Sequence, residues 1–149
     1  MPSKTSTVDR ALRLDNQLCF ALYSTSLAMS KTYQPPLAKL GLTYPQYLAM
    51  LVLWETDGLM VSAIGERLFL DSGTLTPLLK RLEASGLIAR QRDLHDERRV
   101  HVKLTAAGRA LKLKAAKIPA CVASQTQCSL PELRSLSVRI KALRTLLTK

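Results

Sequence analysis

The 149-residue sequence carries three cysteines, Cys19, Cys121 and Cys128, which are the groups with the most redox chemistry to offer. None belongs to a Cys-x-x-Cys pair, and an odd number does not suggest a secreted disulfide framework. Cys19 stands between Leu18 and Phe20. Taken alone, that context reads as inert packing, because free cysteine is among the most buried residue types. The histidines, His95 and His101, lack companion ligands at metal-binding spacing, so neither a metal nor a cofactor is expected. A second set of residues suits contact rather than catalysis. Ser72, Gly73, Thr74, Thr76 and Pro77 precede Lys80 and Arg81, so small hydroxyls come first and cations follow. On a helix, that order lets the first turns enter a major groove, with hydroxyls and backbone N–H groups at base edges and cations at phosphates. Arg90, Arg98 and Arg99 follow in a charged segment whose tip can carry an arginine into a narrow, electronegative minor groove.

The elements that would position these groups can be read in order. Polar residues 1 to about 10 are expected to fray. From Leu14 the apolar residues keep a helical period until Pro35-Pro36, which should interrupt it. Thr43 can cap the next helix, with Gln46 completing a capping box, and that helix should stop near Asp57-Gly58. Ser62 can cap a short helix, Ala63 to Leu70, with Gly65-Glu66 on its outer side. Asp71 or Ser72 opens the following helix, whose Leu75, Leu78, Leu79 and Leu82 face inward, and Gly86 can end it left-handed. Segments 87–92 and 99–104 read as strands around a charged tip. There Asp93, Asp96 and Glu97 must be partly paired internally, Asp96 with a neighbouring arginine. Thr105 should cap a long helix to about Gln127, and Ser129-Leu-Pro-Glu132 opens a last one. Helix, short helix, turn, helix and hairpin make a mainly α fold with a small β-hairpin wing, a winged helix-turn-helix.

Composition narrows the partners. From Met1 to Glu97 there are 10 basic and 10 acidic residues; from Arg98 onward there are 12 basic residues and one acid, Glu132, which accounts for the net charge of +11. Such an excess points to a polyanion. No apolar run approaches the ~18 residues of a membrane span, and the N-terminus lacks the apolar stretch of a secretory signal, so a cytoplasmic protein is expected. The apolar seams Leu111, Leu113, Ala116, Ile118, Val122 and Leu133, Leu136, Ile140, Leu143, Leu147 exceed what a small wing covers. Pairing with a second copy would bury them and set two recognition helices about one DNA turn apart, on an inverted repeat.

The stretch Asp71-Ser-Gly-Thr-Leu-Thr-Pro-Leu-Leu-Lys-Arg-Leu-Glu, then Gly-Leu-Ile, Asp96-Glu-Arg-Arg and Leu104-Thr-x-x-Gly108 resembles the MarR family of winged-helix repressors. Leu14-Asp-Asn-Gln-Leu-Cys-Phe-Ala-Leu-Tyr23 and Leu42-Thr-Tyr-Pro-Gln-Tyr47 resemble its organic-hydroperoxide-responsive branch. The resemblance implies one domain over 1–149, with dimerisation helices at about 14–42 and 105–149 around a DNA-binding lobe at about 43–104. It implies that Cys19 is the peroxide sensor and that Tyr33 and Tyr44, from the partner subunit, hold its thiolate by hydrogen bonds. Arg98 corresponds to the wing arginine. In the two-cysteine members a second cysteine resolves the oxidised sensor across the dimer, and both Cys121 and Cys128 lie in the right region. The helical position of Cys121 favours it. The chemistry is coherent: donors or a helix N-terminus stabilise a thiolate, and a nearby thiol converts its sulfenic acid to a disulfide.

The implied function is a homodimeric repressor that holds operator DNA while Cys19 is reduced and leaves on oxidation by organic hydroperoxides. Three alternatives compete. A repressor of the same fold could be relieved by a reversibly bound aromatic ligand. A thiol peroxidase would need turnover and a reductant. A non-specific nucleoid binder would rest on charge alone.

Overall fold

Helix starts in this chain are set largely by side chains that accept the orphan N–H groups of a first turn. In the computed structural model, which describes residues 6–149, Ser6 and Asp9 form a capping box on α1 (Thr7–Ala11). The expected fraying is therefore replaced by a short helix from Thr7, and its part on residues 1–5 lies outside the described residues. A 3-10 turn at Leu14–Asn16 leads into α2 (Leu18–Ala38). The prolines do not interrupt α2. Pro35 and Pro36 lie in its last turn, where their fixed φ suits a helix and only two N–H donors are lost. The helix runs to Ala38, and the chain turns away at Gly41, whose φ is +71°. Gly41 N–H donates to the Ala38 carbonyl and Leu42 N–H to that of Leu37, each at 3.1 Å, with Leu37 and Leu42 both buried.

Thr43 and Gln46 cap α3 (Tyr44–Glu55) as expected. The two-residue strand β1 (Leu59–Met60) follows, then α4 (Val61–Leu68). Here two expectations fail. Helix α4 starts at Val61 and has no side-chain cap, so Ser62 lies inside it. Gly65 is buried rather than outward, because the chain folds back so tightly that a Cβ there would stand 2.8 Å from the Leu70 carbonyl oxygen. Asp71 caps α5 (Ser72–Ala84), whose Leu75, Leu78, Leu79 and Leu82 are all buried. Gly86, at φ +78°, closes it.

Strands β2 (Ile88–Arg92) and β3 (Val100–Leu104) pair antiparallel from Ile88↔Leu104 to Arg92↔Val100, and β1 pairs the other edge of β3 at Leu59↔Val102. Thr105 caps α6 (Ala106–Ala115). The expected long helix to Gln127 is broken: α7 (Ile118–Gln125) starts anew with Pro119 in its first turn. A proline there clashes with the carbonyl four residues back and supplies no donor. Ser129 and Glu132 cap α8 (Leu130–Leu147).

One core joins these elements. Met50 and Leu53 of α3, Ile64, Leu75, Leu79, Leu82, Ile88 and Val102 are almost fully buried together, and Leu37, Ala115, Ile118 and Val122 extend the cluster. Ile118 and Val122 thus belong to the core of their own chain, because α7 packs on α2; Leu111 is half-buried against that core, and only Leu113 and Ala116 of their seam stay exposed. Helix α8 buries no residue at all. Among the described residues no helix is long and apolar enough to cross a membrane.

Candidate nucleic-acid interface and thiol sites

The outer face of α5 is built by what its inner face buries. With four leucines in the core, Ser72, Gly73, Thr74, Pro77, Lys80 and Arg81 are left exposed and Thr76 half-buried. The Asp71 carboxylate accepts the Thr74 N–H at 2.7 Å. That backbone bond is the main reason its carboxyl titrates below the usual aspartate range. Pro77 has no N–H to donate to the Gly73 carbonyl four residues back. A groove of about 1000 Å³ runs between α4, α5 and the hairpin, with Ser72, Thr76, Lys80, Arg90, Arg98 and Arg99 along its walls. Arg92 lines it too. Sequence reasoning missed Arg92, although its position two residues after Arg90 on a strand puts both on one face.

The hairpin tip pairs two of its three acids internally. Asp96 accepts from the Arg98 N–H at 3.1 Å and from Arg98 Nε at 3.3 Å, the pairing expected for it. Asp93 accepts the His95 N–H at 2.8 Å and stands 3.2 Å from His101 Nε2. The His95 backbone bond first, then the His101 contact, hold the Asp93 carboxyl below its ordinary range. Arg92 Nη1 donates to the Glu97 carbonyl at 3.1 Å. The Glu97 carboxylate and the Arg98 side chain, the latter 92% exposed, are left facing outward. Arg90 differs. It is held by Glu83 of α5 through Nε at 3.2 Å, Nη2 at 3.1 Å and its own N–H at 2.9 Å. Its side chain is therefore committed within the fold as well as lining the groove.

All three cysteines are free and exposed. Cys19 is the second residue of α2, so its thiol sits at a helix N-terminus rather than in a core. Cys121 lies on α7, with Gln125 Nε2 3.9 Å from its sulfur. Cys128 lies in the turn before α8, its N–H on Thr126 Oγ1. Tyr33 and Tyr44 pack with ring centroids 4.7 Å apart and planes tilted by 44°, and Tyr47 stands 5.9 and 6.4 Å from them. Burial, chiefly, raises all three phenols above 10.0, so they stay protonated donors. Tyr47 is buried in the core. The structure brings the two tyrosines together but not to their own Cys19. At about 1.5 Å per residue, α2 runs roughly 21 Å between positions 19 and 33. Among the described residues no three His, Cys, Asp or Glu side chains converge as metal ligands would.

Comparison with known proteins places this geometry. A family model described as the transcriptional regulator SarA/Rot matches residues 31–114, which span both tyrosines, α5 and the hairpin but none of the cysteines. The organic hydroperoxide resistance transcriptional regulator of Bacillus subtilis is 52% identical over 136 residues, 91% of this chain and 90% of that protein. The HTH-type transcriptional regulator TtmR of Methylorubrum extorquens is 54% identical over 131 residues, 88% of this chain and 67% of its own length. Among solved structures, reduced AbfR of Staphylococcus epidermidis bound to DNA superposes with a TM-score of 0.75 at 35% identity, covering 94% of this chain and 99% of the other. Its disulfide-formed state gives 0.61 at 36% identity, covering 91% and 96%. Sequence and structure agree over most of the chain: it belongs to the SarA/Rot and MarR type of winged-helix transcriptional regulators, in the company of the organic hydroperoxide resistance regulators.

Proposed function

We propose that the protein is a cytoplasmic, homodimeric repressor that binds inverted-repeat operator DNA while Cys19 is a thiol and leaves it once Cys19 is oxidised by an organic hydroperoxide. The observation that carries this is the exposed Cys19 at the first turn of α2, about 20 Å along the helix from a protonated tyrosine pair. A second copy would bring Tyr33 and Tyr44 to that thiol, as the resemblance implies. The thiolate attacks the peroxide oxygen, the O–O bond breaks, and the peroxide leaves as an alcohol while Cys19 becomes a sulfenic acid. A thiol from the other copy then displaces water and closes a disulfide. Cys121 is the preferred resolver over Cys128, since α7 is fixed to the core through Ile118 and Val122. A cross-subunit bond would move the recognition helices, whose spacing must match the half-sites. Ser72, Gly73, Thr74, Thr76, Pro77, Lys80 and Arg81 would face the major groove, and Arg90, Arg98 and Arg99 the adjoining backbone and minor groove.

The test pairs gel shifts, using a duplex the protein selects from a random-sequence library, with non-reducing electrophoresis after cumene hydroperoxide. Cys19→Ser should bind DNA and ignore the peroxide. The cross-linked dimer should vanish in Cys121→Ser and persist in Cys128→Ser; the reverse moves the resolving role to Cys128. Release of Cys19→Ser by peroxide overturns the sensor. A second reading, relief by a small aromatic ligand, is favoured by a cavity of about 330 Å³ that Tyr47, Leu51 and Trp54 line beside Lys112. Release of reduced Cys19→Ser by an aromatic acid would establish it.

A further inference from the structure

The hairpin leaves the core at Ile88, the last fully buried residue of β2; Ala89, Gln91 and Arg92 beyond it are exposed. Its partner β3 stays buried at Val102, opposite Arg90, where β1 flanks it; beyond His101 the ribbon is two-stranded and can swing. Among the described residues one side-chain link ties this outer part to α5, and it is the Glu83–Arg90 pair. Both carboxylate oxygens are used. Oε2 accepts the Arg90 backbone N–H at 2.9 Å, while Oε1 accepts Nε at 3.2 Å and Nη2 at 3.1 Å. The strand is thus gripped by its backbone and its side chain at once, which fixes both its distance from α5 and its rotation. The same grip, the backbone bond first, holds the Glu83 carboxyl below the usual glutamate range. From Arg90 the ladder runs through Arg92↔Val100, and Arg92 closes the tip on the Glu97 carbonyl. Orientation set at Arg90 is carried to Arg98 and Arg99.

We propose that Glu83 is a positioning residue for DNA recognition: its carboxylate locks β2 against α5 and so fixes the offset between the helix in the major groove and the arginines of the hairpin tip. The proposal rests on the operator-binding reading above. Glu83 touches no base or phosphate in this role; it acts through the hairpin. A glutamine of the same size would place an N–H₂ against the Arg90 donors and undo the grip.

The experiment uses the reduced full-length protein and the duplex it selects. In hydroxyl-radical footprints, Glu83→Gln should keep the protection made by α5 and lose the flanking minor-groove protection. Affinity should fall about tenfold, with the salt slope reduced by about 1 for each phosphate that is no longer neutralised. In an Arg98→Ala/Arg99→Ala background, Glu83→Gln should cost much less than in the wild type, because the tip arginines it positions are already gone. An additive loss there, or a footprint weakened evenly along the site, assigns Glu83 a merely structural role and overturns the proposal. Should Glu83→Gln not fold, Arg90→Lys, which keeps the charge but not the fork, must give the same pattern. Tryptic cleavage after Arg92, Arg98 and Arg99 should quicken in free Glu83→Gln protein; unchanged cleavage also overturns the proposal. That readout needs no DNA, so failure of the wild type to select any duplex sinks the operator reading while leaving the wing test intact.

Discussion

At the scale of single residues, the tyrosine cluster makes the sharpest prediction. Burial favours the neutral phenols of Tyr33, Tyr44 and Tyr47, and for Tyr33 the neighbouring phenols add to the effect. The sign follows directly. A phenol whose pKa is raised by folding stabilises the fold below the ordinary value of 10.0, and that stabilisation is lost as pH rises through the raised one. Phenolate absorbance of the native protein should therefore lag behind that of the urea-unfolded chain as pH passes 10.0, while resistance to urea declines. Coincident titration curves would refute the buried cluster. Residue type alone did not foretell these environments evenly. The Asp96–Arg98 pair was legible because two positions separate its members. Glu83–Arg90 was not, since it joins a helix to a strand across the turn at Gly86. Cys19 was misleading in the other direction. Its apolar neighbours suggested core, but in one chain they form an exposed face, with Leu18 60% and Phe20 37% exposed.

Among elements, the junction of β3 and α6 is the tightest and the most exposed to substitution. A Cβ on Gly108 would collide with the Leu87 carbonyl and stand 3.3 Å from Leu104 Cδ2. That same Leu87 oxygen accepts the Thr105 N–H at 3.1 Å, and the Gly108 carbonyl accepts Trp54 Nε1–H at 2.9 Å. Neither partner can retreat without loosening the base of the hairpin. Gly108→Ala should therefore cost about 2–3 kcal/mol. It would appear as a lower urea midpoint and a red-shifted emission from Trp54, the single tryptophan. A midpoint matching wild type would show that the junction yields. The Leu104-Thr-x-x-Gly108 pattern was visible in the sequence, but its reason lies in this backbone approach. Capping residues were the legible part of the fold: Thr43, Asp71, Thr105 and Ser129 each start a helix where their chemistry says they should. Prolines were harder, because their effect depends on position in the turn. Pro35 and Pro36 are tolerated at the end of α2, whereas Pro119 restarts a helix. Strand β1, two residues long, carries no periodicity to detect.

On the scale of the whole molecule, charge and apolar surface lie on different parts of the chain and do different work. The +11 excess begins at Arg98, and beyond the hairpin it is carried by helices far along the chain from α5, where it aids long-range attraction to DNA and makes binding salt-sensitive. Those helices also hold the surface that needs covering. Helix α8 has no buried residue, yet Leu136 is 53%, Ile140 42% and Leu147 75% exposed, and near the other end of the chain Leu14, Leu18, Tyr23 and Leu27 are at least half exposed. An 18-residue helix draws little stability from propensity alone and needs its apolar face packed. In the proposed dimer, a second copy of this chain, presenting the same two stripes, would bury both. The core around Met50, Leu53 and Leu79 lies outside them. Disrupting the stripe should thus separate the copies without unfolding the DNA-binding lobe. Leu136→Glu/Ile140→Glu should sediment near the single-chain mass of 16.5 kDa, and the wild type near twice that value. It should keep the Trp54 signal of a folded lobe. Operator affinity should drop by at least about 100-fold, because one recognition helix alone reads only a half-site. A variant that still sediments as a dimer and binds as tightly would show that the stripe on α8 has another occupant.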